Sequence, residues 1–306
     1  MYQFINDYPY FRENGLSNEC QGVCHDKDNW YFTQDGNLWK IPLMQDLNQK
    51  FKGTDASKGV KKVHLGGHLG DLDYYEVNGV GYLFIADNDG EYKTFISIVR
   101  ASDLWLLGRY PVYRSNGRFK DIGWCAINRG YLYTSNGPVN GLAAPIYIFK
   151  IDTQNIENKD MFRRPYATLR LQDETGRDYK IDYMQGGCFD KQNHLHIANG
   201  YYENYQDALV WKPVRHLQGI HVFKVPADYR QGECRKLSRL CKSNQKSGFK
   251  YKFDTLGQEP EGLTWWDLDK DARAPAKERG QLHVILLDND PGGTDDLVFK
   301  HFRRNK

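Results

Sequence analysis

Gln21-Gly22-Val23-Cys24 is the first of five related stretches in this chain. The others read Leu69-Gly70-Asp71-Leu72, Ile122-Gly123-Trp124-Cys125, Gln185-Gly186-Gly187-Cys188 and Glu261-Gly262-Leu263-Thr264. Each is followed by a polar turn, then an aromatic or β-branched segment ending in Asp or Asn, then a further strand-like segment. Self-similarity of this kind marks a repeat architecture, in which each unit buries its apolar surface against its neighbours.

From Gly22 onward the repeat glycines are spaced 48, 53, 63 and 76 residues apart. These lengths approach that of a four-stranded propeller blade, with insertions in the later units. The second strand of each unit is expected at 30–33, 82–86, 131–134, 194–198 and 283–287. The third is expected at 38–41, 94–99, 146–151, 219–225 and 296–302. Outer fourth strands are weaker, as at 166–171 and 249–253. Glycine and Asn-Gly turns interrupt the chain at the short intervals of all-β folds. The expectation is therefore an all-β, five-bladed β-propeller of four-stranded blades, a single domain over residues 1–306. Its blades start near Gly22, Gly70, Gly123, Gly186 and Gly262. The fifth unit reaches Lys306 with only three strands, so residues 1–11 are expected to supply its outer strand and remove an open edge.

Aromatic residues make up 14% of the chain, which suits strands better than helices. The formal net charge is only +3 and no long Lys/Arg stripe occurs, which argues against a nucleic-acid partner. No apolar run approaches the roughly 18 residues of a membrane span. Residues 1–10 lack the profile of a signal peptide, so the expectation is a cytosolic protein or a secreted one whose leader has been removed. A monomer is expected. Cys24, Cys125 and Cys188 share one repeat position and read as packing thiols. Cys234 and Cys241 are close enough for a loop disulfide or are free. No Cys-x-x-Cys pair exists to build a zinc ribbon.

In a propeller, the loop entering the inner strand and the loop joining strands two and three open on the same face. Those loops carry Glu19, Gln21, His68, Asp71, Asp121, Gln185, Glu259 and Glu261, together with Gln34, Asp35, Asp87 to Asp89, Asn136, Asn199 and Asp288 to Asp290. Gathered around one channel, they form an oxygen-rich funnel suited to a sugar, another polar ligand or a hard cation such as calcium. The same Asp and Asn residues also suit tight turns. The ligand-binding set read from this pattern is Gln21, Asp71, Asn136, Gln185 and Asn199, with Tyr202 and Trp211 from the aromatic insertion at 201–218. Glu261, Asp89 and Asn289 form the candidate calcium set. For hydrolysis, Glu261 or Asp121 would act as base and His68 as acid or orienter. His194 and His196 alternate at metal-compatible spacing without an evident third ligand. Gly66-Gly67 precedes no helix that would make it a phosphate loop.

The pattern resembles five-bladed β-propellers as a class, among them calcium-dependent apyrases, arabinanase-type glycosidases and tachylectin-type lectins. Glu259-Pro260-Glu261-Gly262-Leu263-Thr264 resembles a segment that opens an inner strand in calcium-associated and phosphoesterase-like propellers, which makes Glu261 a candidate cation ligand. His68-Leu69-Gly70-Asp71-Leu72-Asp73 resembles a motif of secreted or surface propellers. The implied function is a propeller with one polar site at the channel mouth. That site would bind or hydrolyse a carbohydrate- or phosphate-containing molecule, with calcium as the candidate cofactor. The alternative is a lectin or a protein-interaction scaffold without catalysis.

Overall fold

Five antiparallel four-stranded sheets follow one another along the chain in the computed structural model. The structure describes residues 2–11, 15–137, 144–181, 184–199, 202–203, 212–213, 219–229, 232–240, 258–288 and 296–305. Blade one comprises Cys20–His25, Asn29–Gln34, Asn37–Pro42 and Lys61–His64, from inner to outer strand. Blade two comprises His68–Val77, Val80–Asn88, Thr94–Arg100 and Trp105–Pro111. Blade three comprises Ala126–Asn128, Tyr131–Ser135, Ile146–Lys150 and Ala167–Gln172. Blade four comprises Met184–Phe189, His194–Asn199, Gly219–Lys224 and Glu233–Leu240. Blade five comprises Gln258–Trp265, Leu282–Asp288, Asp296–Arg304 and, as its outer strand, Tyr2–Phe11.

Successive side chains of a strand point to opposite faces, and in a propeller each face meets a different neighbouring blade. Leu83 and Ile85 accordingly pack toward blade one, whereas Phe84 and Ala86 pack toward blade three. This is why the second strands read as nearly continuous apolar runs: both faces are buried. The buried apolar side chains form five clusters, one between each adjacent pair of blades. Between blades five and one, Trp30 sits edge-on to Trp266, His283 and Phe299, with ring centroids 4.6, 5.2 and 5.3 Å away.

The N-terminal strand closes the ring as the repeat count requires. It pairs antiparallel with Asp296–Arg304, from Tyr2 opposite Arg304 to Phe11 opposite Leu297. Lys300 Nζ reaches Asp7 Oδ1 at 2.9 Å, and the buried His301 ring contacts the Tyr8 carbonyl at 2.6 Å. The same strand is tied to blade one: Tyr8 Oη donates to the Asp46 carboxylate, and Tyr10 N donates to Asn48 Oδ1 at 2.9 Å.

The outer strand of blade four differs from the expected 249–253, which lies outside the described residues. Glu233–Leu240 follows the third strand through a short connection and takes that position. It also pairs parallel with the outer strand of blade three, Arg170 to Gln172 against Glu233 to Arg235, so two blades share one eight-stranded sheet. This seam covers two outer edges at once. Cys234 lies on it with a buried, free thiol, and Cys241 lies outside the described residues. No helix among the described residues is long and apolar enough to cross a membrane.

Glu278 provides a pH test of the interface between blades five and one. Its Oε2 accepts from Trp30 Nε1 at 2.9 Å, and burial pushes its carboxyl up to about 8. A carboxyl held protonated by the fold loses stability as pH rises, because above its ordinary pKa the unfolded chain releases the proton more readily. Its contribution to stability should therefore fall between pH 4.5 and about 8, against the opposite contribution of buried histidines such as His301, which burial lowers to about 4. Glu278→Gln should remove that contribution, so wild type should lose stability relative to the variant between pH 4.5 and about 8. Urea melts across this range would read the difference, and parallel wild-type and variant profiles would contradict it.

Candidate functional site: the axial mouth

The inner strand of each blade is an edge, so its outward N–H and C=O groups need partners at the axis. The five repeat glycines make this possible by letting the backbones meet. A methyl group on Gly262 would lie 2.5 Å from Gly22 Cα, one on Gly186 would lie 2.5 Å from the Glu261 oxygen, and one on Gly123 would lie 2.9 Å from the Met184 oxygen. On Gly70 it would collide with the Gly123 carbonyl, and on Gly22 it would lie 2.6 Å from Asp71 Cα. The glycines thus form a closed ring in chain order.

Asp71 fills the centre of that ring and is 0% exposed. Its Oδ1 accepts from Val23 N of blade one at 3.1 Å, and its Oδ2 accepts from Gly187 N of blade four at 2.9 Å. Its own N–H donates to the Gly123 oxygen of blade three at 2.8 Å. A methyl on Gly262 of blade five would come within 2.6 Å of Oδ1. Through its backbone and side chain, this one residue therefore meets all four other blades. Burial pushes its carboxyl well above the usual carboxylate range, while the amides of Gly187, Leu72 and Val23 pull it back. Asp73, two residues on, accepts from Ile127 N at 2.6 Å and is pushed up to about 7 by burial. Burial, with these two carboxylates, drives the thiols of Cys24, Cys125 and Cys188 well above their ordinary range, so they are packing groups rather than nucleophiles.

Three of the sequence candidates lie near the starts of inner strands. Gln21, Gln185 and Glu261 each precede a ring glycine. Gln185 spans blades: a methyl on Gly123 would lie 3.0 Å from its Oε1, and its Nε2 donates to Glu259 Oε1 at 2.8 Å. Glu261 is only 2% exposed, and its charge contributes to raising the buried Cys20 thiol. Glu259 belongs to this group through Gln185. It stood among the loop acids in the sequence, but nothing there signalled its bond across the blades.

The other candidates are placed differently. Asp71 lies within the ring rather than at the mouth, with both carboxylate oxygens taken by backbone amides. Asn136 is buried and its Oδ1 accepts from Lys120 N at 2.7 Å, while Asp121 Oδ1 accepts from Ile122 N at 2.7 Å and its carbonyl accepts from Gly137 N at 2.8 Å. These bonds stitch two loops of blade three together. His68 is half exposed and faces Asp35, with Nδ1 to Oδ1 at 3.6 Å. Asp89 faces Arg109 at 3.4 Å, and the same guanidinium clamps Asp87 at 2.8 and 2.9 Å. Asn199 is fully buried. Tyr202 pairs with Pro213 in a short hairpin. Trp211 and Asn289 lie outside the described residues. Among the described residues, no group of three His, Cys, Asp or Glu side chains is arranged to hold a metal ion.

No protein-family model matches the chain, and no curated protein matches it. Solved structures do. The chain is similar to the GH43_1 enzyme from Xanthomonas citri complexed with xylose, at TM-score 0.51 and 8% identity, covering 94% of this chain and 88% of that one. A second structure of that enzyme matches at TM-score 0.51 and 9% identity, covering 94% and 89%. Glutaminyl cyclase from Myxococcus xanthus matches at TM-score 0.49 and 10% identity, covering 100% and 97%. At such identities the likeness to the GH43_1 enzyme establishes the fold alone. The protein is a five-bladed β-propeller, its last blade closed by the N-terminal strand.

Proposed function

We propose that the mouth formed by Gln21, Gln185, Glu259 and Glu261 binds a carbohydrate or a related hydroxyl- or phosphate-bearing molecule. The observation that carries this reading is the Gln185–Glu259 hydrogen bond between blades four and five, set beside the nearly buried Glu261. An amide held by a carboxylate keeps an oriented acceptor and donor for a hydroxyl group, and the closed ring beneath supplies a floor. The fold is shared with an enzyme solved with xylose, which makes xylose and its oligomers sensible first probes.

Hydrolysis at this mouth would place two carboxyl groups across a glycosidic bond. Glu259 and Glu261 of blade five and Asp121 of blade three are the acids available for it. His68, engaged with Asp35, is less suited to the acid role than the sequence suggested. Asp89 already faces a guanidinium, so the reading routes no step through calcium.

A glycan array that includes neutral, acidic and phosphorylated sugars tests the proposal. Wild-type protein should bind one class, and Glu259→Ala should weaken that binding about 10- to 100-fold, the cost of one charge-assisted hydrogen bond. Turnover lost in Glu261→Gln with binding retained would assign hydrolysis. Equal binding by wild type and Glu259→Ala, or no bound glycan on the array, would overturn the site.

A further inference from the structure

The repeat does not account for a cavity at the rim between blades two and three. It measures about 410 Å³ and is lined by Arg114, Arg163 and Arg164, with Tyr113, Ser115 and Gly117 among the remaining walls. No carboxylate lines it, and none of the mouth residues belongs to it.

The cavity is built on two ordered segments. Tyr113–Arg114 and Gly117–Arg118 pair as a short hairpin beyond the outer strand of blade two. Arg163 and Arg164 directly follow the buried Met161 and Phe162, which anchor that segment in the core between the two blades. Tyr113 N donates to the Phe162 oxygen at 3.0 Å and locks the segments together. Arg118 is committed to the scaffold: its Nη2 donates to the Thr94 oxygen at 2.8 Å, and its guanidinium lies 4.7 Å from the Phe95 ring centroid.

The three lining arginines are not neutralised to the same degree. Arg163 has Asp160 at 3.1 Å, but both side chains are 69% exposed, so that pair is weak. Arg114 Nε is buried and has no hydrogen-bond partner. With Nε sealed from solvent, only the Nη atoms of Arg114 are left to meet a ligand. Arginine forks match the planar and tetrahedral geometry of oxyanions bidentately. The volume lies within the range of small-molecule sites and exceeds what a bare anion would fill.

We infer that this cavity binds a phosphate monoester of a small molecule, with the phosphate on Arg114, Arg163 and Arg164 and the organic portion against Tyr113. The rim shares no residue with the mouth, and the arginine variant below assigns ester binding to the rim rather than the mouth.

Calorimetric titration with glucose 6-phosphate, glucose and inorganic phosphate at fixed ionic strength is the experiment. The ester should bind at least ten-fold tighter than either glucose or inorganic phosphate. The double variant Arg114→Gln/Arg164→Gln should weaken ester binding at least ten-fold, with its melting temperature in phosphate-free buffer close to wild type. Lys52→Gln, an exposed charge elsewhere, should leave ester binding unchanged. The inference fails if the ester binds no tighter than inorganic phosphate or chloride. It fails equally if the arginine double variant binds like wild type, or if Lys52→Gln weakens binding as much.

Discussion

Asp71→Ala should destabilise the protein by about 3–6 kcal/mol, a large share of the 5–15 kcal/mol typical of a folded domain. The substitution leaves the Val23 and Gly187 amides buried without acceptors and opens a void where five strands converge. Each orphaned buried donor costs about 1–3 kcal/mol, and the void adds to that. Asp71→Asn keeps the volume and one good acceptor, so it should fall between alanine and wild type. Chemical denaturation of the three proteins would read the order. A neutral Asp71→Ala would mean that the ring closes without its central carboxylate.

Removal of residues 1–11 should abolish cooperative folding. The strand supplies the outer edge of blade five, and Tyr2, Phe4 and Tyr10 pack on the core between blades four and five. Those rings are partly buried and each contributes less than the ~1.5–3 kcal/mol of a fully buried side chain, but the buried Tyr8 in the cluster between blades five and one adds to them. Truncation would also strip the Asp7 partner from Lys300, whose side chain is 1% exposed, and the carbonyl partner from His301. A circular permutant that places residues 1–11 after Lys306 through a short linker should restore folding, because Tyr2 lies opposite Arg304 in the antiparallel pair. A truncated protein that melts cooperatively near the wild-type temperature would refute the closure. So would a permutant that fails to fold.

The repeat glycines were legible in the sequence because the axis leaves no space for a Cβ, and that constraint acts on every blade alike. The second and third strands were legible because burial on both faces makes them continuously apolar. The closing N-terminal strand followed from counting strands in the fifth unit. The outer strand of blade four was not legible: adjacent Arg235 and Lys236 break the polar–apolar alternation of Glu233–Leu240, and its pairing with blade three is a tertiary event with no local signal.

The site was legible in part. Gln21, Gln185 and Glu261 stand out because each precedes a ring glycine. Asp71 carries the same acidic signature as a ligand group, and only the fold reveals that backbone amides occupy both of its oxygens. Asn136 and Asp121 read equally well as turn residues or ligand groups; Asn136 bonds the Lys120 amide of the facing loop and Asp121 the amide of the next residue. Arg109, which holds Asp87 and Asp89, lies on an outer strand some twenty residues away and carries no motif. The rim arginines come from two loops unrelated by the repeat, so no periodic reading could have joined them.

The closed ring depends on the inner ends of the blades converging at Asp71, whose carboxylate binds blades one and four. Amide hydrogen exchange at Val23 and Gly187 addresses that convergence directly. Both amides should belong to the slowest-exchanging class in the wild-type protein, and in Asp71→Asn both should accelerate more than amides in the outer strands. Rapid wild-type exchange at either position, or protection unchanged by the substitution, would contradict the account.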